Sequence, residues 1–334
     1  MEHKDASSSS DTAPLWTLTD GHAGNVRQAE ALARALDLGE ARPVVVDARR
    51  PWRWVAPRRW PSAESAFGPA FKQGLQRPPT IAIGCGRQAA LATRLLRERG
   101  ACSVQILDPR IAPHHWDWVI APTHDRVRGA NVIPMVGSLN PIDDDWLAQA
   151  RSRFAALAAL PGPRTAVLIG GDSAHARLER ADAERLMQSL LAARAREHGS
   201  LLITASRRTS EPVRALLRAH APSIGLLWID ERDGENPYAG LLAWADRIVC
   251  TADSVNMVSE ACATHAPVRV FEPERVDGRP RRFLDDLLAS GRIAPLQGDE
   301  TLTPYAGAPL RETARVAALL RTALRLDPAA AQKD

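Results

Sequence analysis

The segment 251–272 combines polar side chains with a strand–loop–helix–strand pattern that suits nucleotide binding. An apolar run leads into the capping residues Asp253 and Ser254, and the helix that follows starts with backbone N–H groups that lack intrahelical acceptors. These donors, the Ser254 hydroxyl and the positive end of the helix dipole favour a phosphate. Later in the same helix, Glu260 offers a carboxylate for two ribose hydroxyls. The alternative is an ordinary capped αβ unit with a surface glutamate.

Two further loops, each at the end of a predicted strand, add phosphate-binding groups. In the loop Gly170-Gly171-Asp172-Ser173, the glycine pair exposes backbone amides that suit a diphosphate. This loop lacks the Gly-Lys-Ser/Thr of a P-loop, which disfavours nucleoside triphosphate hydrolysis. In the loop Ser206-Arg207-Arg208-Thr209, the paired arginines can fork onto phosphate oxygens. The alternative for the second loop is an exposed charge pair at a helix start.

A loop near the N-terminus predicts acid–base chemistry. The sequence Asp20-Gly21-His22-Ala23-Gly24-Asn25 follows the first predicted strand, and Gln28 lies one turn into the next helix. The glycines allow close backbone approach and positive φ angles, while Asp20 and His22 supply an acid and a titratable base. The glycine spacing differs from the dinucleotide motif G-x-G-x-x-G. A tight turn capped by Asn25 is the alternative.

A second glycine loop, Gly84-Cys85-Gly86-Arg87, also joins a strand to a helix. Its glycines either let the helix pack close to the sheet or open a site that Arg87 faces. Asp108 ends the next predicted strand and could add a carboxylate there, whereas His114 and His115 are better explained as structural residues. Because parallel α/β sheets bind ligands at the carboxyl ends of their strands, these loops are expected to line a cleft.

Two other clusters indicate structure rather than chemistry. Asp143, Asp144 and Asp145 follow Pro141 at a helix start, where carboxylates favour the dipole, so we expect a cap and no metal site. The four cysteines lack metal-ligand spacing and are typical of small core residues in a reducing compartment.

Length and composition predict a two-domain globular protein. At 334 residues the chain exceeds the roughly 250–300 residues that one hydrophobic core usually serves. The net charge of +4, with arginines and carboxylates interspersed, argues against nucleic acid as a partner and suits an anionic ligand. No apolar stretch reaches the roughly 18 residues of a membrane span, and the polar start is no signal peptide. We therefore expect a cytoplasmic protein.

Short apolar runs alternate with amphipathic helical patterns, which predicts an α/β fold of two doubly wound, Rossmann-like domains. The predicted strands are 15–19, 43–47, 80–84, 103–107, 118–121 and 132–135, then 165–169, 201–204, 225–229, 247–250 and 268–271. The predicted helices are 26–36, 87–99, 144–159, 181–197, 211–219, 238–245, 254–263, 281–290 and 310–325. The Leu-Pro-Gly-Pro sequence at 160–163 predicts an interdomain hinge. The predicted boundaries are a disordered lead-in 1–13, domains 14–160 and 164–308, a C-terminal helix 309–326 and a frayed tail 327–334.

Tryptophans alternate with arginines between the second and third predicted strands. The segment contains Trp52, Trp54 and Trp60, then Phe67 and Phe71, among Arg49, Arg50, Arg53, Arg58 and Arg59. Two interpretations stay open: a loop whose tryptophans pack on the domain, or an amphipathic contact with a membrane surface. A nucleic-acid stacking surface is less well supported.

Three motifs together resemble the mitochondrial-fission Elm-type family of plants and many bacteria. They are Trp16-Thr17-Leu18-Thr19-Asp20-Gly21 with Gly24 and Gln28, Ser206-Arg207-Arg208-Thr209, and Thr251-Ala252-Asp253-Ser254 with Met257, Ser259, Glu260 and Ala261. The family is similar to GT-B glycosyltransferases, so the resemblance implies two Rossmann-like domains that face a central cleft. In the lipid-linked N-acetylglucosaminyltransferase of peptidoglycan synthesis, the matching glutamate holds the ribose, and the same role is implied for Glu260.

For a bacterial-looking chain rich in alanine and arginine, the resemblance implies a glycosyltransferase. The second domain would hold a nucleotide-diphosphate sugar as substrate, and the first would bind a lipid-linked or lipopolysaccharide-type acceptor that Asp20 or His22 deprotonates. No metal or other cofactor is implied, and membrane contact would be peripheral, at the cytoplasmic face of the inner membrane. Two other functions stay open: a non-catalytic adaptor with the same fold, or a nucleotide-sugar epimerase.

Overall fold

Two compact units form the chain. The computed structural model describes residues 14–173, 175–296, 302, 305 and 307–326. Unit 1 runs to Pro141 and resumes at Glu312, and unit 2 covers Ile142–Arg311. The predicted lead-in 1–13 and tail 327–334 lie outside the described residues.

Unit 1 is built on a parallel sheet covered by helices. Its strands are β1 (Leu15–Thr19), β2 (Arg42–Val45), β3 (Ile81–Cys85), β4 (Cys102–Ile106), β5 (Trp118–Pro122) and β6 (Val132–Met135). Its first helices are α1 (Ala23–Leu36), α2 (Trp52–Val55), α3 (Gly68–Gly74) and α4 (Arg87–Arg97). Within the described residues the sheet has six strands in the order β2-β1-β3-β4-β5-β6.

Unit 2 repeats this plan. Its strands are β7 (Arg164–Ile169), β8 (Ser200–Ala205), β9 (Leu226–Trp228), β10 (Arg247–Thr251), β11 (Val268–Phe271) and β12 (Ile293–Leu296). Its helices are α5 (Asp144–Arg153), α6 (Arg180–Glu197), α7 (Glu211–His220), α8 (Tyr238–Trp244), α9 (Val255–Cys262) and α10 (Gly278–Ala289). In the part of the chain that the structure describes, the six strands run in the order β12-β11-β10-β7-β8-β9.

The predicted α/β class is confirmed, because neighbouring strands pair in parallel throughout both sheets. Strands β1, β6 and β11 begin and end at the predicted residues. Strand β12 was not predicted, because it is short and contains Pro295, a residue that sheets accept at an edge. Helices α2 and α3 lie in the tryptophan- and arginine-rich segment, which carries no regular hydrophobic period.

The units divide the chain at other residues than the sequence predicts. The sequence predicts helix α5 in the first domain, but the helix packs on α8 in unit 2, where Arg151 Nε donates to Ala243 O over 2.8 Å. The Pro-Gly-Pro sequence at 161–163 lies inside unit 2, and Pro163 O accepts a hydrogen bond from Ser200 N. Long-range packing decides which unit a helix joins, and local sequence signals do not report it.

The C-terminal helix α11 (Glu312–Ala323) completes unit 1. Val316 and Leu320 are fully buried in one core cluster with Leu32 of α1. At the start of α11, the Glu312 carboxylate accepts a hydrogen bond from Val136 N over 2.7 Å. Unit 1 therefore combines segments that are far apart in the sequence.

Each sheet has one point where successive connections leave in opposite directions. In unit 1 the first strand, β1, lies between β2 and β3, and in unit 2 the first strand, β7, lies between β8 and β10. Doubly wound sheets bind ligands outside the carboxyl ends of the strands at such a switch point. The loops that follow β1 and β3, and those that follow β7 and β10, occupy these two positions.

Candidate functional site

A hydrogen-bonded glycine loop forms the centre of the unit 2 switch point. Gly170 N donates to Thr251 Oγ1 and Gly171 N donates to Asp253 Oδ2, each over 2.8 Å. Thr251 Oγ1 in turn donates to Asp253 Oδ1 over 2.6 Å. A Cβ on Gly170 would lie 2.1 Å from both Asp253 carboxylate oxygens, so this close approach requires glycine. The two amides predicted to bind a diphosphate therefore already have acceptors within the protein.

Arg208 joins the loops that follow β7, β8 and β10. Its Nη2 donates to Asp253 Oδ2 over 2.9 Å, and its Nη1 donates to Gly171 O and Asp172 O over 3.2 and 3.0 Å. The Asp253 side chain is 3% exposed and that of Arg208 is 44% exposed. Because these donors are engaged within the protein, Arg208 holds the loops in place, and its binding of phosphate stays a prediction.

Ser206 and Thr209 fasten the same loop, while Arg207 stays outside it. Thr209 Oγ1 donates to Gly170 O and accepts from Ser206 N over 3.0 Å. Arg214 of α7 binds the turn through Thr209 O over 2.8 Å. The Arg207 side chain is exposed and has no hydrogen-bond or ion-pair partner among the described residues. Arg207 is therefore the arginine of the pair that can meet a ligand.

Asp172 and Ser173 close a turn after the glycine pair. Asp172 Oδ1 accepts a hydrogen bond from Leu178 N, and Ser173 Oγ accepts one from Ala176 N, each over 3.1 Å. Asp172 remains exposed. Their first role is therefore to shape the loop.

Helix α9 begins at the same switch point, with Ser254 as its N-cap. Ser254 Oγ accepts a hydrogen bond from Met257 N over 3.4 Å, and both residues are half-buried. The first amides of the helix, at Val255 and Asn256, have no intrahelical acceptors. Together with the helix dipole, they make this end of α9 suited to an anion.

Glu260 lies in the last turn of α9 and is 3% exposed. The phenol of Tyr238, at the start of α8, donates a hydrogen bond to Glu260 Oε2. The carboxylate predicted to hold a ribose thus has a protein partner that fixes its orientation. Sequence analysis missed Tyr238, because no motif connects it to Glu260.

A buried arginine secures the C-terminal end of α9. Arg292 is 6% exposed, and it donates from Nε to Cys262 O over 3.0 Å and from Nη2 to Thr264 O over 2.8 Å. A cation at this end of a helix is favourable, and the terminal carbonyls lack intrahelical donors. Arg292 thereby fixes the helix whose other end lies at the switch point, and no sequence signal identified it.

Four charged residues form a further network that the sequence does not reveal. Asp182 and Glu272 each accept hydrogen bonds from both Arg185 and Arg275. Burial would raise the pKa of Asp182, but the hydrogen bonds, chiefly from Arg275, bring that pKa below its ordinary value. A narrow pocket is lined by Thr251, Asp253, Phe271, Glu272 and Arg275. The network therefore borders the switch point of unit 2.

In unit 1, the Asp20 carboxylate organises the loop after β1. Asn25 Nδ2 and His22 N donate to Asp20 Oδ1 over 2.9 and 3.2 Å. Gly21 has a φ of 79° and Gly86, after β3, has a φ of 96°. A Cβ on Gly86 would lie 2.7 Å from Asn25 Nδ2. The structure thus brings these five residues together at one switch point.

Asp20 and His22 form a pair with the geometry of a general base. His22 Nδ1 lies 3.1 Å from Asp20 Oδ1, and the imidazole is 81% exposed whereas the carboxylate is 17% exposed. Burial would raise the pKa of Asp20, but hydrogen bonds from Asn25 and His22 lower it below its ordinary value of 3.8. Asp20 is therefore an anion and a weak base at neutral pH. With Nδ1 on the carboxylate, Nε2 of His22 is the atom that can accept a proton from a ligand.

Three other unit 1 candidates have structural partners. Gln28 is buried and donates from Nε2 to Gly24 O over 3.3 Å. Arg87 donates to Arg53 O over 3.2 Å. A Cβ on Gly84 would meet a side chain of α4 at 2.7 Å, so this glycine allows the helix to pack on the sheet.

Asp108 follows one strand, whereas His114 and His115 precede the next, so the aspartate and the two histidines lie at opposite ends of the strands. Asp108 follows β4, and its Oδ1 accepts a hydrogen bond from Arg110 N over 2.8 Å. His114 and His115 precede β5, and His114 O accepts from Arg97 at the end of α4 over 2.9 Å. The histidines are thus at the amino end of a strand, opposite to the loops of the switch point.

Two parallel sheets with polar loops at their switch points define an α/β protein with a GT-B-like fold. Residues 23–324 match the family described as "Mitochondrial fission ELM1", and the chain belongs to this family. Mitochondrial fission protein ELM1 of Arabidopsis thaliana is 31% identical over 274 residues. That match covers 74% of this chain and 64% of the plant protein, so the chain spans less than two thirds of that relative's length.

Two solved structures share the fold at low sequence identity. UDP-GlcNAc 2-epimerase from Methanocaldococcus jannaschii matches with a TM-score of 0.56 and 12% identity, covering 92% of this chain and 99% of that one. UDP-GlcNAc 2-epimerase from Neisseria meningitidis, bound to UDP-GlcNAc, matches with a TM-score of 0.53 and 12% identity, covering 96% and 94%. Both likenesses are of fold.

Across the residues described, no helix is both long and apolar enough to cross a bilayer. The same part of the chain contains no group of three His, Cys, Asp or Glu residues placed to hold a metal ion.

Proposed function

We propose that the protein binds a nucleotide-diphosphate sugar in unit 2 and transfers the sugar to a hydroxyl of a cell-envelope glycolipid or glycan, without a metal ion. The observation that carries this proposal is the hydrogen-bonded pair Arg208–Asp253. This pair holds together the two loops that contain the exposed Arg207 and the helix cap Ser254. The fold likeness to two proteins named for UDP-GlcNAc, one of them bound to it, supports a nucleotide sugar as the ligand.

The donor diphosphate binds at the N-terminus of α9 in this proposal. The amides of Val255 and Asn256, the Ser254 hydroxyl and the guanidinium of Arg207 supply the donors. Negative charge grows on the diphosphate as its bond to the anomeric carbon breaks, and preorganised donors are most effective where charge develops. The Arg208–Asp253 pair, in which the carboxylate is buried, keeps these groups in place before the ligand arrives.

The Glu260 carboxylate is assigned to the ribose hydroxyls. Tyr238 donates a hydrogen bond to Glu260 Oε2 and so orients the carboxylate. Glu260 is 3% exposed, so its carboxylate has little freedom to turn. A ribose bound there would meet the carboxylate in one fixed orientation.

The acceptor hydroxyl is assigned to unit 1, where His22 Nε2 takes its proton. The acceptor oxygen then forms the new bond to the anomeric carbon, and the nucleoside diphosphate leaves with the electron pair of the broken bond. Asp20, held anionic by Asn25, stabilises the imidazolium that forms.

The segment after β2 supports an acceptor at a membrane surface. Trp54 and Trp60 are 63% and 52% exposed, and Arg50 lies 5.1 Å above the Trp54 ring. Trp52 packs back instead, donating from Nε1 to Pro61 O over 3.0 Å. Exposed aromatics with arginines suit peripheral contact with an anionic bilayer, here the cytoplasmic face of the inner membrane.

Binding of UDP-GlcNAc, measured by isothermal titration calorimetry, tests the donor site. We expect Arg207→Met to weaken binding about tenfold, the effect of one lost charge-assisted hydrogen bond, with an unchanged melting temperature. Arg196→Met is the matched control, since Arg196 is an exposed arginine in the last turn of α6, near the amino end of β8. Equal losses in the two variants, or no binding of UDP-, GDP-, CMP- or ADP-sugars, would refute the donor site.

The fold comparisons favour epimerisation of the nucleotide sugar as a second candidate function. Incubation with UDP-GlcNAc, with and without an envelope lipid extract, separates the two. A transferase releases UDP only when the extract is present. An epimerase converts the sugar without the extract, and its product is still a UDP-sugar. Binding without either reaction would favour the adaptor alternative.

A further inference from the structure

A cavity of about 430 Å³ opens at the free edge of the unit 1 sheet. Strand β2 and helix α3 form its sides, and its lining includes Trp16, Arg42, Val44, Phe71, Gln73 and Arg77. The volume falls within the roughly 300–1,000 Å³ of small-molecule sites. None of the groups assigned to the proposed reaction lines this cavity.

The Trp16 side chain lines the cavity. It is 4% exposed, and its buried indole Nε1–H has no acceptor among the described residues. The ring lies close to α3, because a Cβ on Gly74 would come within 2.9 Å of Trp16 Cη2. The indole is therefore a closely packed aromatic wall of the cavity.

The charged side chains around the cavity are cationic. Arg42 pairs with Trp16 in the parallel register of β1 and β2, and its guanidinium lies 5.0 Å from the centre of the indole ring. Arg77 adds a second guanidinium, and the described lining residues include no aspartate or glutamate. A phosphate or carboxylate is the acceptor that this charge favours.

The remaining lining is apolar. Phe67 and Phe71 meet edge to face with their ring centres 4.9 Å apart, and Val44 and Val46 lie on the strand side. Val45, at the end of β2, is 71% exposed. Apolar walls next to cationic groups match a molecule with an anionic head and a hydrocarbon arm.

We propose that this cavity is a binding site for an anionic amphiphile, whose phosphate or carboxylate contacts Arg42 and Arg77 and whose apolar arm lies along Val44 and Phe71. The inference is independent of the donor site in unit 2. It assigns to unit 1 a ligand distinct from any nucleotide.

Heteronuclear NMR of the full chain with 15N-labelled tryptophan tests the site directly. The indole signal of Trp16, one of nine tryptophans, is the one that disappears in Trp16→Phe. Decyl phosphate, added below its micelle concentration, should shift this signal in a saturable manner, because the ligand lies beside the indole ring. Arg42→Gln and Arg77→Gln should each weaken decyl phosphate binding about tenfold.

Controls keep each outcome decisive. Arg34→Gln and Arg99→Gln remove exposed arginines of the same unit outside the cavity, and they should leave binding unchanged. Inorganic phosphate and decanol, which each carry half of the proposed chemistry, should bind at least about tenfold more weakly than decyl phosphate. Equal binding of either probe, equal loss in the control variants, or a Trp16 signal that decyl phosphate does not move would overturn the proposal. If Trp16→Phe fails to fold, Arg42→Gln and Arg77→Gln decide it.

Discussion

A carboxylate joins neighbouring strand ends in both units, Asp20 beside Gly86 in unit 1 and Asp253 beside Gly170 in unit 2. The Asp253 side chain is 3% exposed and paired with Arg208. The Asp20 side chain is 17% exposed, and its partner is a histidine whose side chain is 81% exposed. One acid is neutralised inside the fold, whereas the other remains next to a group that can gain or lose a proton.

The different environments of the two carboxylates show how similar topology can serve different tasks. A buried carboxylate whose two oxygens both accept hydrogen bonds holds the surrounding loops in place, and it has no free acceptor for a ligand. A partly exposed acid with a titratable neighbour can support proton transfer. This difference accords with the proposal of nucleotide binding in unit 2 and acid–base chemistry in unit 1, and four measurements bear on the comparison.

The largest effect is expected from the glycine loops. A Cβ on Gly171 would lie 2.2 Å from backbone atoms of Arg208, which cannot move without breaking the turn, whereas a Cβ on Gly86 meets the end of the Asn25 side chain. Gly171→Ala should lower the free energy of unfolding by more than about 3 kcal/mol, and Gly86→Ala by about 1–2 kcal/mol. Urea unfolding followed by circular dichroism measures both.

Gly39→Ala is the control for the glycine variants. Gly39 has a φ of 89° and no atom within 4 Å of its ideal Cβ, so the variant reports the cost of positive φ alone. If Gly171→Ala cost no more than Gly39→Ala, the unit 2 loop would not be tightly packed.

The two carboxylates should differ next. Asp253→Asn leaves the Arg208 guanidinium without its anion and should cost about 2–4 kcal/mol of unfolding free energy. Asp20→Asn keeps an acceptor for Asn25 and should cost less than about 1 kcal/mol. The double variant Asp253→Asn with Arg208→Met should be less destabilised than the sum of the two single variants. Equal costs at positions 20 and 253 would remove the distinction between the units.

A smaller contrast concerns the arginines that cap helix ends. Arg292 donates to several carbonyls at and just beyond the C-terminal end of α9, whereas Arg321 donates to Leu36 O at the end of α1. Arg292→Met should cost about 2 kcal/mol and Arg321→Met less than about 1 kcal/mol. Thermal unfolding by calorimetry compares them, and a larger loss in Arg321→Met would contradict the ranking.

The smallest effect is the pH dependence of Asp20. Its pKa is lowered in the folded protein, so its stabilising contribution is complete above the ordinary value of 3.8 and is lost as pH falls through the folded pKa. Between about pH 6 and about pH 3, wild type should lose a few tenths of a kcal/mol more than Asp20→Asn. Urea midpoints across this range measure the difference, and parallel pH profiles for the two proteins would argue that the carboxylate is not held by Asn25 and His22.

The fold could be predicted from the sequence because most of the β-strands are short apolar runs that alternate with helical patterns. Those local patterns predict parallel sheets, and within unit 2 the polar residues after the neighbouring strands β7 and β10 come together at the strand ends. Strand β12 was missed, since an edge strand with a proline carries little hydrophobic signal.

The contacts within the site were less predictable, because they depend on which side chains satisfy one another. Adjacent arginines look alike in sequence, yet Arg208 donates to Asp253 while Arg207 stays exposed. Tyr238 and Glu260 belong to different helices and meet only after folding. Pairings of this kind follow from tertiary packing, which no local spacing encodes.

The position of α11 has a consequence for the order in which the two units can fold during synthesis. Unit 2 is a single continuous segment, so it can fold as soon as it has emerged, while unit 1 waits for Val316 and Leu320 to close its core. During that interval the apolar face of α1 has no cover from α11. A released chain that ends at residue 311 should therefore carry a protease-resistant unit 2 and a first sheet whose core lacks the cover of α11.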